Sequence, residues 1–184
     1  MTPTEQLKEE HQGILLMLKI LEKVCDRLDS KEKAKEDHLE RVVEFFRIFV
    51  DKCHHGKEED LLFPEMETSG IPKERGPIGA MLLEHEQGRT YVRGMGDAVV
   101  KFKKGEATAS VEFTKNARRY IPLLSDHIDK ENNILFPMGE KAISRKKQEE
   151  LLEAFEELER ERIGVGTHEA FHKLLHQLQE FYLK

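Results

Sequence analysis

Long apolar runs are missing from this chain. The longest, such as Ile14 to Leu18, are far too short to cross a membrane. The opening MTPTEQLKEEH holds no apolar signal region, so a cytoplasmic location is the expectation. Cysteine is scarce: Cys25 and Cys53 suit a reducing compartment and read as two buried thiols rather than a disulfide. No basic run stands clear of neighbouring acids, and the formal net charge is -6, which argues against nucleic acid as a partner. A Gly-rich phosphate loop is lacking. So is a nucleophile arrangement, since Cys53 adjoins His54 but on a helix points about 100° away. No hydrolase or transferase motif is present, and whether the chain is an enzyme stays open.

What is present is charge, helical periodicity and histidine. Charged residues make up 36% and hydrophobic residues 38% of 184, which suits a helix-rich domain with wide solvated faces. Four segments carry an apolar stripe at helical spacing. The first spans residues 4–28, capped by Thr4, on Leu7, His11, Ile14, Leu18, Leu21, Cys25 and Leu28. The second spans 36–66, on Leu39, Val43, Phe46, Val50, His54, Glu58 and Leu61. The third spans 78–103, on Ile78, Leu82, His85, Arg89, Val92, Met95, Val99 and Phe102. The fourth spans 107–141, on Phe113, Ala117, Tyr120, Leu124, His127, Glu131, Ile134 and Met138, with Pro122 predicting a kink near 118–121. Two further helices follow, over 144–162 and from an N-capping Thr167 to the C-terminus. The expected fold is all-α: an up-and-down four-helix bundle over residues 1–142, with a helical extension over 143–184 packed on or beside it.

Each bundle helix puts a histidine on its inward stripe, and two add a glutamate one turn later. Unpartnered, such buried groups would cost on the order of several kcal/mol each. The chain also aligns with itself. Glu10-His11-Gln12 recurs as Glu84-His85-Glu86, and the stretch from His54 through Leu62-Phe63-Pro64 recurs as His127 through Leu135-Phe136-Pro137. Setting Phe63 on Phe136 pairs His54 and Glu58 with His127 and Glu131, which leaves His55 and Glu59 off the main site or at its edge. Two similar hairpins related by a pseudo-twofold build one site at their interface, with all four histidines at one level.

Four imidazoles and two carboxylates suit a dinuclear centre. A carboxylate can bridge two ions, whereas an imidazole ends on one. Glu58 and Glu131 become the bridges, His11 and His54 serve one ion, and His85 and His127 serve the other. Mixed N/O donors without thiolate favour Fe or Mn, leave Zn open and disfavour Ca. The Leu-Phe-Pro after each site reads as structural: the Phe packs on the site and the Pro shapes the helix end. Tyr120 reads as core.

The motifs, an early E-H and then H-x-x-x-E before L-F-P, each occurring twice over residues 5–141, resemble the hemerythrin family in its bacterial and archaeal HHE cation-binding branch. The resemblance implies that His11, His54, Glu58, His85, His127 and Glu131 are ligands of an oxo- or hydroxo-bridged di-iron centre. It implies function in binding, sensing or reacting with O2, NO or peroxide. Met81 stands where oxygen carriers have a further histidine, and its replacement is sought among His55, Glu84, Glu86, a water and the C-terminal helix. The alternative is an iron-dependent signalling or binding module, in which the metal is structural or reports iron status to a protein partner or a second copy. His168, His172 and His176 form one stripe on the last helix. It reads as a solvated face, as a cover or ligand source for the centre, or as a second weak metal site.

Overall fold

Thr2, not Thr4, begins the first helix. Its hydroxyl accepts from the Glu5 amide at 3.1 Å while the Glu5 carboxylate accepts from the Thr2 amide at 2.6 Å, and Pro3 fills the first helical position. This reciprocal arrangement satisfies two otherwise orphaned donors. Thr4 lies inside the turn, buried, and donates to Glu140. The computed structural model describes residues 1–32 and 34–184, which form six helices with no strand among them. They are α1 (Pro3–Asp29), α2 (residues 36–68), α3 (Pro77–Lys103), α4 (residues 109–142), α5 (Arg145–Arg162) and α6 (Thr167–Tyr182). The last is capped by Gly166 in the left-handed region, φ 83, so Thr167 is its first residue and not its cap. Both cysteines are buried and free.

Two of the long helices are not α-helical throughout. α2 is π-helical over Phe45–His55 and Glu58–Leu62, and α4 over Glu131–Leu135. A π turn holds about one residue more than an α turn, so the inward face slips by a residue. Leu61 is therefore only half-buried while Leu62 is buried, and Ile134 is 54% exposed while Leu135 is buried. Met138, expected inside, faces outward as well, and Gly139 takes the packed position against Met66. Pro64 and Pro137 supply a reason. Each lacks an amide hydrogen and its ring crowds the carbonyl four residues back, and each lies just beyond a π segment. Ala109–Lys130 stays α-helical across Pro122.

The core is two apolar clusters. One is centred on Ile14, Phe46, Val92 and Tyr120, the other on Leu7, Phe63, Met81 and Phe136. Along every bundle helix the inward histidine lies between a member of each: Leu7 and Ile14 flank His11, Val50 and Leu62 flank His54, Met81 and Val92 flank His85, and Leu124 and Leu135 flank His127. A single polar layer is thus sealed above and below by hydrocarbon. The C-terminal helices lie on α1 and α2. α5 inserts Leu151 and Phe155 into one cluster, and α6 adds Phe171, Leu174, Leu175 and Leu178 to the other.

Candidate metal centre

In the polar layer the four imidazoles pair. His11 Nε2 lies 3.0 Å from His54 Nε2, and His85 Nε2 lies 3.0 Å from His127 Nε2. Each ring turns its other nitrogen to an oxygen acceptor: His11 Nδ1 to Asn132 (2.8 Å), His54 Nδ1 to Glu10 (2.8 Å), His85 Nδ1 to Glu59 (2.7 Å) and His127 Nδ1 to Glu84 (2.9 Å). An acceptor at Nδ1 fixes the proton there and leaves the Nε2 lone pair free for the centre. Two lone pairs 3.0 Å apart repel unless a cation or a proton stands between them.

Glu58 and Glu131 complete the layer. Glu58 places one oxygen 3.4 Å from His54 Nε2 and the other 3.4 Å from His85 Nε2. Glu131 places one 3.1 Å from His127 Nε2 and the other 3.3 Å from His11 Nε2. Both carboxylates are fully buried, and none of their four oxygens has a hydrogen-bond donor among the described residues. Orphaned carboxylate oxygens at zero exposure are costly unless a cation meets them. Each carboxylate faces both histidine pairs, which is what a bridging ligand requires. Nitrogens 3.0 Å apart and each about 2.1 Å from a shared ion subtend about 90° there, nearer octahedral than tetrahedral geometry. The residues present therefore fit a metal centre of mixed nitrogen and oxygen donors.

The repeat explains the shell behind these groups. The glutamate before each helix-opening histidine stays outside the polar layer; it orients the histidine of the neighbouring helix, Glu10 for His54 and Glu84 for His127. Lys57 and Lys130, which also repeat, donate to the same two carboxylates. Phe63 and Phe136 stack on His85 and His11 with interplanar angles of 16° and 6°. The recurring E-H pair was visible in the sequence, but a partner on another helix was not.

His55 breaks the symmetry, since Ile128 occupies its place in the other hairpin. Expected at or beyond the edge of the site, it is buried and stacked on His85 at 3.8 Å between centroids. It brings a ring nitrogen within 4.8 Å of ligand atoms of Glu58, His85 and His127, while His11, His54, Glu58 and Glu131 form the matching second group. Among the replacements considered for the histidine absent at Met81, His55 is the one whose ring nitrogen reaches this group of ligand atoms. Glu84 is committed to His127 and Lys130, and exposed Glu86 to Arg89. The widened π turn through His55 brings it round toward the face that His54 occupies. Glu59 orients His85 from outside the centre.

Of the C-terminal stripe, His172 and His176 are exposed. His168 is half-buried against Phe49 and His172, and lies near Glu10 and Glu159. The Lys57 ammonium already bonds those two carboxylates, at 2.6 and 3.0 Å, so no further cation is called for there.

Protonation follows from this geometry. Burial works against the imidazolium of His54, yet Glu58 and Glu10 outweigh it and hold its pKa up at about 10. Burial likewise opposes His127, and Glu131 and Glu84 hold it up at about 10. Burial and neighbouring His85 keep His55 neutral, well below the usual histidine value. Without metal, His54 and His127 carry protons at pH 7, and a metal must displace them. Binding of Mn(II) or anaerobic Fe(II) should release protons at pH 7, from His54 and His127 at least, and tighten as pH rises toward 10. Calorimetry in buffers of differing ionisation enthalpy measures this; release of none would contradict the geometry.

Residues 2–139 match the family described as Hemerythrin HHE cation binding domain. Uncharacterized proteins of Mycobacterium bovis and Mycobacterium tuberculosis are 23% identical over 163 residues, 89% of this chain and 63% of theirs. The chain thus spans less than two thirds of the length of those curated relatives. No solved structure matches.

Proposed function

We propose, on the premise that this chain belongs to the hemerythrin HHE cation-binding domain family, that it holds two iron ions and binds, senses or reacts with O2, NO or peroxide. The observation that carries this reading is that Glu58 and Glu131 each turn one oxygen to either histidine pair. His11 and His54 would hold one ion, His85, His127 and His55 the other, with both glutamates shared. A bound iron pair supplies accessible one-electron changes and positions open to a small oxidant or NO.

The chain's own residues set the conditions for that chemistry. Glu10, Asn132, Glu59 and Glu84 each hold one imidazole in the tautomer that aims Nε2 inward. Phe63 and Phe136, both buried, exclude water from one side of the layer. The unequal donor sets, His55 and Glu59 against Ile128 and Asn132, make the two ion positions inequivalent.

A second reading, a module that reports iron status through the C-terminal helices, is favoured by one contact. Lys57 links Glu159 of α5 to Glu10, which in turn orients His54. One preparation tests both. Protein from iron-supplemented culture should carry about two irons per chain, with near-ultraviolet oxo-to-iron bands in air that bleach on anaerobic reduction. Zinc or a single metal without those bands would sink the redox reading. Full iron loading without any spectral response to O2, NO or peroxide would leave the reporting role.

A further inference from the structure

Beside the second histidine pair, a cavity of about 330 Å³ opens between α2 and α3. His55 and Asp51 form part of its wall, and Val92, Gly96 and Val100 give it apolar sides. Gly96 leaves room on α3, where a Cβ would meet nothing nearer than Val43, at 3.7 Å. Such a volume is of the size that takes a small organic molecule.

The charges around it are unevenly matched. Arg89 in the wall is fully engaged, donating to Asp51 (2.8 Å) and Glu59 (2.6 Å), and bonded also to Glu86. Arg47 from α2 and Arg93 from α3 line the same cavity and are exposed, and among the described residues neither has a carboxylate within 4.0 Å. Beside them stands one exposed acid, Asp97, so the guanidiniums of Arg47 and Arg93 outnumber the acid next to them. A guanidinium fork matches a carboxylate in shape and charge.

We propose that this cavity is a binding site for a small apolar monocarboxylate, its carboxylate held by Arg47 and Arg93 and its hydrocarbon laid against Val92, Gly96 and Val100. The site needs no metal in order to bind, so it stands or falls apart from the iron reading. His55 lies between it and the histidine layer, so an occupant sits one ring away from His85.

Saturation-transfer NMR and calorimetry on the full chain test this with phenylacetate, against neutral 2-phenylethanol and cationic 2-phenylethylamine as probes. Phenylacetate should bind at least about tenfold tighter than either. The double variant Arg47→Gln/Arg93→Gln changes only exposed side chains and should abolish that preference. Gly96→Leu fills the cavity while leaving the arginines in place, and should abolish binding of phenylacetate altogether. Equal binding of the alcohol, binding unchanged by Gly96→Leu, or no binding of phenylacetate up to its solubility would each overturn the proposal.

Discussion

Glu58→Gln should empty both metal positions, not one. Glu58 is fully buried and sets its two oxygens 3.4 Å from His54 and 3.4 Å from His85, so each position loses half of its carboxylate donors and a share of negative charge at once. Removing even an outer partner of a metal ligand costs about 10–100-fold in affinity, and removing a bridge should cost at least about 100-fold at both positions. His11→Ala, which touches one pair only, should keep the ion at His85 and His127. Elemental analysis separates the two outcomes. Stability gives a second readout. Metal at about 1,000 times its Kd adds about 4 kcal/mol, on the order of 10 °C in Tm for a chain of this size. Chelation should therefore lower the wild-type Tm by that amount and leave Glu58→Gln unmoved. A variant that kept two ions would refute the bridging geometry.

Lys57→Met should destabilise the fold by about 3–5 kcal/mol, the cost of leaving one member of a buried pair behind. The Lys57 side chain is 0% exposed and bonds Glu10 at 2.6 Å, and Glu10 is itself buried. The corresponding Lys130→Met should cost less than about 1 kcal/mol, because Lys130 is 40% exposed and solvent screens its pair with Glu84. The difference comes from α5, which covers the first pair with Glu159 and Phe155 and leaves the second open. The pair also carries a pH dependence. Burial pushes the Glu10 carboxyl up, but His54 and Lys57 outweigh it and hold it at about 2, below the ordinary 4.5. A depressed acid contributes stability that is present above about pH 4.5 and lost as pH falls toward 2. Lys57→Met should flatten this acid limb. Denaturant titrations at pH 7 and pH 4 measure both effects, and equal losses for the two lysine variants would defeat the argument.

That His11, His54, Glu58, His85, His127 and Glu131 come together could be read from the chain because the repeat and the i,i+4 spacing are local. His54 with Glu58 and His127 with Glu131 share a helix face, and the self-alignment chose His54 over His55 as the motif's start. The same logic failed at Ile134 and Met138, since an unbroken α-helical period was carried through Glu131–Leu135, where the helix is π. The cap at Thr2 was missed in favour of Thr4, although Glu5 three residues on was the signal for it. His55 offered a weaker sign, a second imidazole in tandem with no counterpart at position 128.

Composition, periodicity and the internal repeat by themselves determined an all-α bundle, its helix pairing and a level at which four histidines and two glutamates meet. Periodicity says which side chains share a face, and burial of that face forces them together. Only the tertiary structure decided what stands behind and beside them. Glu10 orients His54 from another helix, Asn132 orients His11 across 121 residues of chain, and α5 seals Lys57 out of water. His55 stacks on His85. Those contacts depend on how helices turn about their axes where π segments change the register, and on which side of the bundle the last two helices settle. Neither is encoded in the spacing of any one segment.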